Sequence, residues 1–275
     1  TQVLQMLQTV LFTNVSSVEV SGVVLLGDVP IYAVDPANWS IHFHWPWSRQ
    51  ASSEGDAENI KSHVKIYLRN MIRYVHEVAQ QKQLDYPLVV QIRAGCVLYP
   101  NRTSWGFMDV REGGRDLIAF EVERQRWEPQ RPSALAELVS KSLNRKRAIT
   151  ALLEHLLSNS CRSHILTLCR YGRADLERQE LPVATVFDRT PRPDQLLLVC
   201  HVTGFYPRPI SVAWLQDGQE VPPGPALNTS DILPNADLTY QLRSILAVVP
   251  HDGHSYACRV RHRSLGTGSL LIPWG

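Results

Sequence analysis

Cysteines, histidines and glycosylation sequons are the first residues whose spacing bears on chemistry. Cys96, Cys161, Cys169, Cys200 and Cys258 contain no C-x-x-C pair, which argues against a zinc site or a thioredoxin-type redox centre. His76-Glu77-Val78-Ala79-Gln80 falls one residue short of the zinc-protease H-E-x-x-H, because Gln80 stands where the second ligand histidine is needed. No P-loop, G-x-S-x-G or dinucleotide fingerprint is present. The chain therefore reads as a non-enzyme, with no catalytic residue, metal site or cofactor expected. Four N-x-S/T sequons, at Asn14, Asn38, Asn101 and Asn228, combine with pairable cysteines to point to an oxidising, secretory compartment.

The bulk properties narrow the class further. A net charge of +2 over 275 residues argues for neither a nucleic-acid binder nor an acidic partner, and Arg145-Lys146-Arg147 is the only dense basic run. No apolar run approaches the roughly 20 residues of a membrane span. The chain reads as a mature soluble protein or as an ectodomain cut from its anchor.

The elements that position these residues are most legible at the C-terminal end. QLLLVCHVTGFYPRPISVAW, from Gln195, carries Cys200 on a strand-like run, a turn at Tyr206–Pro209, and Trp214 fourteen residues past the cysteine. Tyr256 precedes Cys258 by two residues. Cys, Trp and Tyr-x-Cys in that order mark an immunoglobulin sandwich, with a bridge between sheets and a tryptophan packed on it.

The first 180 residues repeat one pattern. Strand candidates at Val3–Thr13, Val18–Leu26, Pro30–Val34 and Ser40–Trp45 precede a polar stretch, SRQASSEGD, and then a helix from Glu58 to Ala79. Strand candidates at Leu88–Leu98, Ser104–Arg111, Leu117–Val122 and Gln125–Trp127 precede a second helical region from Ser133 to about Glu180. Two ββββα halves predict one antiparallel sheet with both helices on one face. The expected domains are 1–181, split at 85/86, and 182–275. The second helix is expected to break or bend at Ser158-Asn159-Ser160, whose side chains compete for backbone hydrogen bonds.

At the helical step of about 100° per residue, Ile60, Val64, Tyr67, Leu68, Met71, Ile72, Tyr74, Val75, Val78 and Ala79 share an arc of roughly 160°. A helix lying on one core needs only somewhat more than about 100°. Arg69, Arg73, His76, Glu77 and Gln80 take the opposite side. In the second helix Ile149, Leu152, Leu153, Leu156 and Leu157 form the apolar stripe. If Cys96 bridges to Cys161, it points toward the helices, and alternation then places Val90, Ile92, Ala94 and Leu98 on the same face. Met108 and Val110 join that floor from the next strand. The pattern fits equally a closed core and a greasy slot between separated helices.

YPLVVQIRAGC, LLSNSC and CHVTGFYPRP…DILPNAD…CRVRHRSL together resemble the MHC class I superfamily, and within it the lipid-presenting, non-peptide branch. The resemblance implies an α+β groove domain, with an eight-stranded antiparallel sheet under two helical regions. An immunoglobulin-like C-type sandwich follows, and beta-2-microglobulin binds beneath. It implies disulfides Cys96–Cys161 and Cys200–Cys258, leaving Cys169, whose apolar neighbours suggest a buried thiol acting as a small hydrophobe. It also implies a cell-surface glycoprotein with endosomal recycling that shows a lipid or glycolipid headgroup to T-cell receptors.

Peptide-presenting relatives carry a Lys-Trp pair where Leu143-Asn144 stand here. An apolar floor leaves a peptide's polar groups unsatisfied, whereas an acyl chain gains roughly 0.8 kcal/mol per buried methylene. Residue by residue, the resemblance maps Val64, Tyr67, Leu68, Met71 and Val75 to the groove. Leu152, Leu153, Leu156 and Leu157 are candidates from their stripe, and Met6, Val10 and Phe12 from a first strand whose parity is ambiguous. Tyr74 occupies the place of a family acid that meets the headgroup, beside Arg73. Arg69, His76, Arg147 and Glu154 are expected to face a receptor. A closed-groove transport receptor and a peptide-presenting molecule are the alternatives.

Overall fold

The computed structural model describes residues 1–275, which form two compact units, Thr1–Arg173 and Ala174–Gly275. The division falls ahead of the expected 181/182 boundary because the intervening residues pair with the second unit. Glu180 and Tyr206 exchange backbone hydrogen bonds at 2.9 and 3.2 Å, and the Arg178 guanidinium lies 4.3 Å from the Tyr206 ring centre.

In the first unit eight antiparallel strands make one sheet: β1 (Gln2–Asn14), β2 (Ser17–Leu26), β3 (Val29–Val34), β4 (Ile41–Phe43), β5 (Leu88–Leu98), β6 (Ser104–Glu112), β7 (Arg115–Glu121) and β8 (Arg126–Pro129). Their order is β4-β3-β2-β1-β5-β6-β7-β8, two four-stranded halves joined through β1 and β5. This is the sheet expected from the repeated pattern.

The polar stretch after β4 is not simply a loop. Pro46–Ala51 forms a short helix, α1, with proline in its first turn, where the missing N–H costs nothing. Trp47 and Ala51 bury its apolar side, and the Trp47 indole packs where a Cβ on Gly172 would stand, 2.6 Å away.

The long helix α2 runs Asp56–Lys82 and ends on Gln83 in the left-handed conformation. The second helical arm comprises α3 (Ala134–Asn144), α4 (Arg147–His155), a π-helical turn (Leu156–Ser160) and α5 (Cys161–Tyr171). Ser133 caps α3 by accepting from Ala136 N at 3.1 Å. The break or bend expected at Ser158-Asn159-Ser160 takes the form of the π turn. Ser158-Asn159-Ser160 continue helically in the π turn, and the interruption falls at Arg145–Lys146. A π turn admits one extra residue without losing the helical hydrogen bonds, so the serines and asparagine need not end the helix.

The second unit is a two-sheet sandwich of β9 (Val183–Arg192), β10 (Gln195–Phe205), β11 (Ile210–Gln216), β12 (Gln219–Glu220), β13 (Leu227–Thr229), β14 (Leu233–Pro234), β15 (Tyr240–Val248), β16 (Tyr256–His262) and β17 (Leu270–Trp274). One sheet orders β13-β15-β10-β9 with β14 on β15; the other orders β12-β11-β16-β17. Cys200–Cys258 bridges them, with Trp214 fully buried opposite Cys258. The Tyr256 hydroxyl donates to Asp252 at 2.6 Å, fixing the corner before that strand.

Candidate functional site

The register of β1 resolves its parity. Cα partners across an antiparallel pair share a face. Met6 lies opposite Ala94, Gln8 opposite Ile92, Val10 opposite Val90 and Phe12 opposite Leu88. The same alignment puts Val110 beside Ile92, and Met108 beside Ala94. Cys96 on that row is bridged to Cys161, so the whole row faces the helices. Val10 and Phe12 are fully buried, Val90, Ile92 and Met108 nearly so, and Met6, Ala94 and Val110 only half-buried. The reverse face carries Gln5, Gln91, Arg93 and Asp109, together with exposed Leu7 and Trp105.

The two helical arms approach the floor differently. Gly106 lets the π turn down onto β6, since a Cβ there would lie 2.8 Å from Leu157 Cβ and 3.0 Å from its carbonyl oxygen. Gly106 is also the register partner of Cys96, so its bareness is what brings Cys161 within disulfide reach. By contrast, the α2 backbone is held farther off, reaching within 8 Å of a strand or of the second arm at no more than isolated points, and its side chains span the distance to the floor. Helices in contact have axes about 8–10 Å apart, which would bring facing Cα atoms well inside that limit.

Cross-arm contacts occur near the two ends of this gap. At one, Ser160 Oγ donates to Asp56, and His155 Nε2 lies 3.1 Å from the same carboxylate. The Ser160 hydrogen bond and then His155 hold the Asp56 carboxyl below its ordinary range. At the other, the Lys146 ammonium lies 4.7 Å from the Tyr74 ring centre. Between them stand Val64, Tyr67 and Met71 on α2 and Ile149, Leu152 and Leu153 on α4.

Tyr67 reports what fills that space. Its hydroxyl bonds Gln8 on the floor at 3.1 Å, and burial pushes its pKa up to about 12. Yet 39% of the residue's surface is accessible. Its hydroxyl end is enclosed while the rest of the side chain keeps accessible surface, so the helix-facing row is not sealed over at this point. Leu68 beside it is packed, at 1% exposure, and Val64, Met71 and Val75 are half-buried against the core. On the second arm Leu157 is buried, Leu153 and Leu156 are half-buried, and Leu152 is 55% exposed in one row with exposed Ile149.

Three residues, His76, Tyr74 and Glu154, differ from their expected roles. His76 does not face outward: it packs edge-on against Phe12, and its Nδ1 lies 2.7 Å from the Tyr86 hydroxyl. A polar ring with a hydroxyl partner tolerates that half-buried place. Tyr74 turns its hydroxyl into protein, where it is buried without a hydrogen-bond partner, and presents its ring to Lys146. Asn144 clamps β8, accepting from Trp127 N at 2.8 Å and donating to Trp127 O at 2.9 Å. Glu154 is half-buried, whereas Arg69, Arg73 and Arg147 are exposed. All four sequon asparagines are exposed. Cys169 lies outside both disulfides and is half-buried.

Residues that periodicity passed over also matter. Gln8 became visible only through the β1 register. Tyr32 and His164 pin α5 to β3, with the hydroxyl 2.7 Å from Nε2 and the rings stacked at 5.8 Å. Burial raises the Tyr32 pKa and lowers that of His164 to about 4, so a neutral phenol and a neutral imidazole share the hydrogen bond.

A sheet roofed by two helical arms, followed by a disulfide-bridged immunoglobulin sandwich, defines an MHC class I-like molecule. Residues 1–175 match the MHC-I family domain and residues 185–265 the immunoglobulin C1-set domain. Chicken CD1-2, solved with bound fatty acid, is 52% identical with a TM-score of 0.91, over 99% of this chain and 98% of that one. Chicken CD1-1 is 42% identical with a TM-score of 0.90, over the full length of both. The antigen-presenting glycoprotein CD1d of Sylvilagus floridanus is 33% identical over 97% of this chain and 96% of its own. The chain belongs to the MHC-I family, within its CD1 group.

Proposed function

We propose that this chain presents lipid antigen, holding hydrocarbon between α2 and the second arm. The observation that carries this reading is Tyr67, whose enclosed hydroxyl and accessible flank fit a slot above an apolar floor. Met6, Ala94 and Val110, which keep accessible surface, supply the floor with Val90, Ile92 and Met108 packed beside them, whereas Val10 and Phe12, expected there, are sealed in the core, Phe12 against His76. Val64, Tyr67, Met71 and Val75 supply one wall and Leu153 and Leu156 the other, with Leu68 and Leu157, also expected to line it, packed into the core behind them. Leu152 and Ile149 form an apolar rim.

The crest beside the gap is basic. Arg69, Arg73, Arg145 and Arg147 are exposed, and of these only Arg73 has an acidic partner, Glu77 at 3.7 Å. An anionic headgroup suits that rim, and a T-cell receptor would read headgroup and crest together. Leu7 and Trp105 on the sheet's underside suit beta-2-microglobulin. Display at the cell surface with endosomal recycling completes the proposal.

The experiment is organic extraction and mass spectrometry of the secreted complex. Lipid at near-stoichiometric yield is expected. Eluted peptides in its place, or an empty extract, would overturn the reading in favour of a peptide presenter or a closed-groove receptor.

A further inference from the structure

On the apolar, helix-facing row one polar group is left half-satisfied. Gln8 is 95% buried, being 5% exposed, on the central strand β1. Its flanking partners are Ile92 on β5 and Gly22 on β2, and the glycine leaves that side without a side chain. The amide makes one side-chain hydrogen bond, at 3.1 Å with the Tyr67 hydroxyl. Whichever way the amide is turned, one hydroxyl can satisfy only one of its ends. The other end has no protein partner, and it is not walled in. Gln8 stands on the helix-facing row directly beneath Tyr67, whose own flank keeps accessible surface.

A plain alkyl chain laid over this point strips water from the free end and returns nothing, which is the costly way to bury an amide. A ligand oxygen arriving there restores the bond. A retained water does so only where a chain leaves it room and two or more polar partners.

We propose that Gln8, steadied by Tyr67, is a specificity-determining residue of the groove, selecting fatty acyl chains with a hydroxyl or oxo oxygen along their length. The inference rests on the lipid-presenting reading and names the chain chemistry that the groove prefers. Because Gln8 sits at a fixed depth on the floor, the preference depends on where along the chain the oxygen lies.

The test loads the secreted complex, stripped of endogenous lipid, with equimolar mixtures of octadecanoic acid and one hydroxyoctadecanoic acid. The hydroxyl is placed in turn near the carboxyl end, mid-chain and near the methyl end, and bound species are counted by native mass spectrometry. At one position the hydroxy acid is expected to win by about tenfold, the equivalent of one hydrogen bond of about 1.4 kcal/mol. Gln8→Leu and Gln8→Met, the second of which keeps the side chain's length, are expected to bring the ratio to about one. They do so by gaining octadecanoic acid as well as losing the hydroxy acid.

Even ratios at every position, or a preference unchanged in both variants, overturn the proposal while leaving lipid binding intact. A Gln8-dependent preference for free acids over methyl esters also overturns it, because the carboxylate would then occupy this point. Failure to retain octadecanoic acid in any mixture sinks the lipid-presenting reading itself.

Discussion

At the scale of single residues, two positions carry measurable consequences. His164 is held neutral by burial, with a pKa near 4 against an ordinary 6.5. Between those values the unfolded chain binds a proton that the folded chain does not, so stability is lost as pH falls from about 6.5 toward about 4. The slope contributed is up to about 1.4 kcal/mol per pH unit. His164→Gln, whose amide can either accept from or donate to the Tyr32 hydroxyl, is expected to flatten the fall in denaturation midpoint between pH 7 and pH 5. An unchanged pH slope would show that the imidazole is not what titrates. Gly106 is the second position. Gly106→Val puts carbon against Leu157 backbone and is expected to cost about 1–3 kcal/mol, read by denaturant unfolding. Neither residue stood out in the sequence: a lone histidine and a strand glycine acquire meaning only from what crosses above them.

At the scale of elements, the second helical arm is anchored and α2 is suspended. Cys96–Cys161 closes a sequence separation of 65 residues and ties the π turn's far end to β5. Replacing both cysteines with serine is expected to cost about 2–5 kcal/mol, measured on the oxidised parent and the variant under the same conditions. Loss of bound lipid in parallel with stability would tie the groove's width to that anchor. The apolar row of β5 was legible because Gln91 and Arg93 mark its opposite face. The row of β1 was not, because Leu4, Met6, Val10 and Phe12 alternate with Val3, Leu7 and Leu11, and either set could have been buried. Pairing with β5 broke that tie and exposed Gln8 as the polar exception. The second arm has a similar history: local preference marked Ser158-Asn159-Ser160 as the irregular point, and packing onto β6 made it a π turn and not an end.

At the scale of the whole molecule, the reverse face of the sheet carries exposed Leu7 and Trp105 among charged neighbours. Co-expression with beta-2-microglobulin is therefore expected to raise secreted yield and thermal midpoint over the chain expressed alone. Equal behaviour with and without it would count against that partnership. With Asn14, Asn38, Asn101 and Asn228 all exposed, glycosidase treatment of secreted protein is expected to remove up to four glycans, a number that peptide mapping can assign site by site.

The sequence by itself determined the class of the molecule. Alternation and helical periodicity are local properties, and they sufficed for eight strands, two helical arms and an apolar floor. The cysteine, tryptophan and tyrosine spacing sufficed for the sandwich. Only the tertiary structure decided whether the arms meet. Periodicity records which side of a helix avoids water, and an apolar stripe looks the same packed against another helix or facing a void. Separation arises from where the disulfide, Gly106 and the polar contacts at Asp56 and Tyr74 hold the backbones, and those are contacts between residues far apart in the chain.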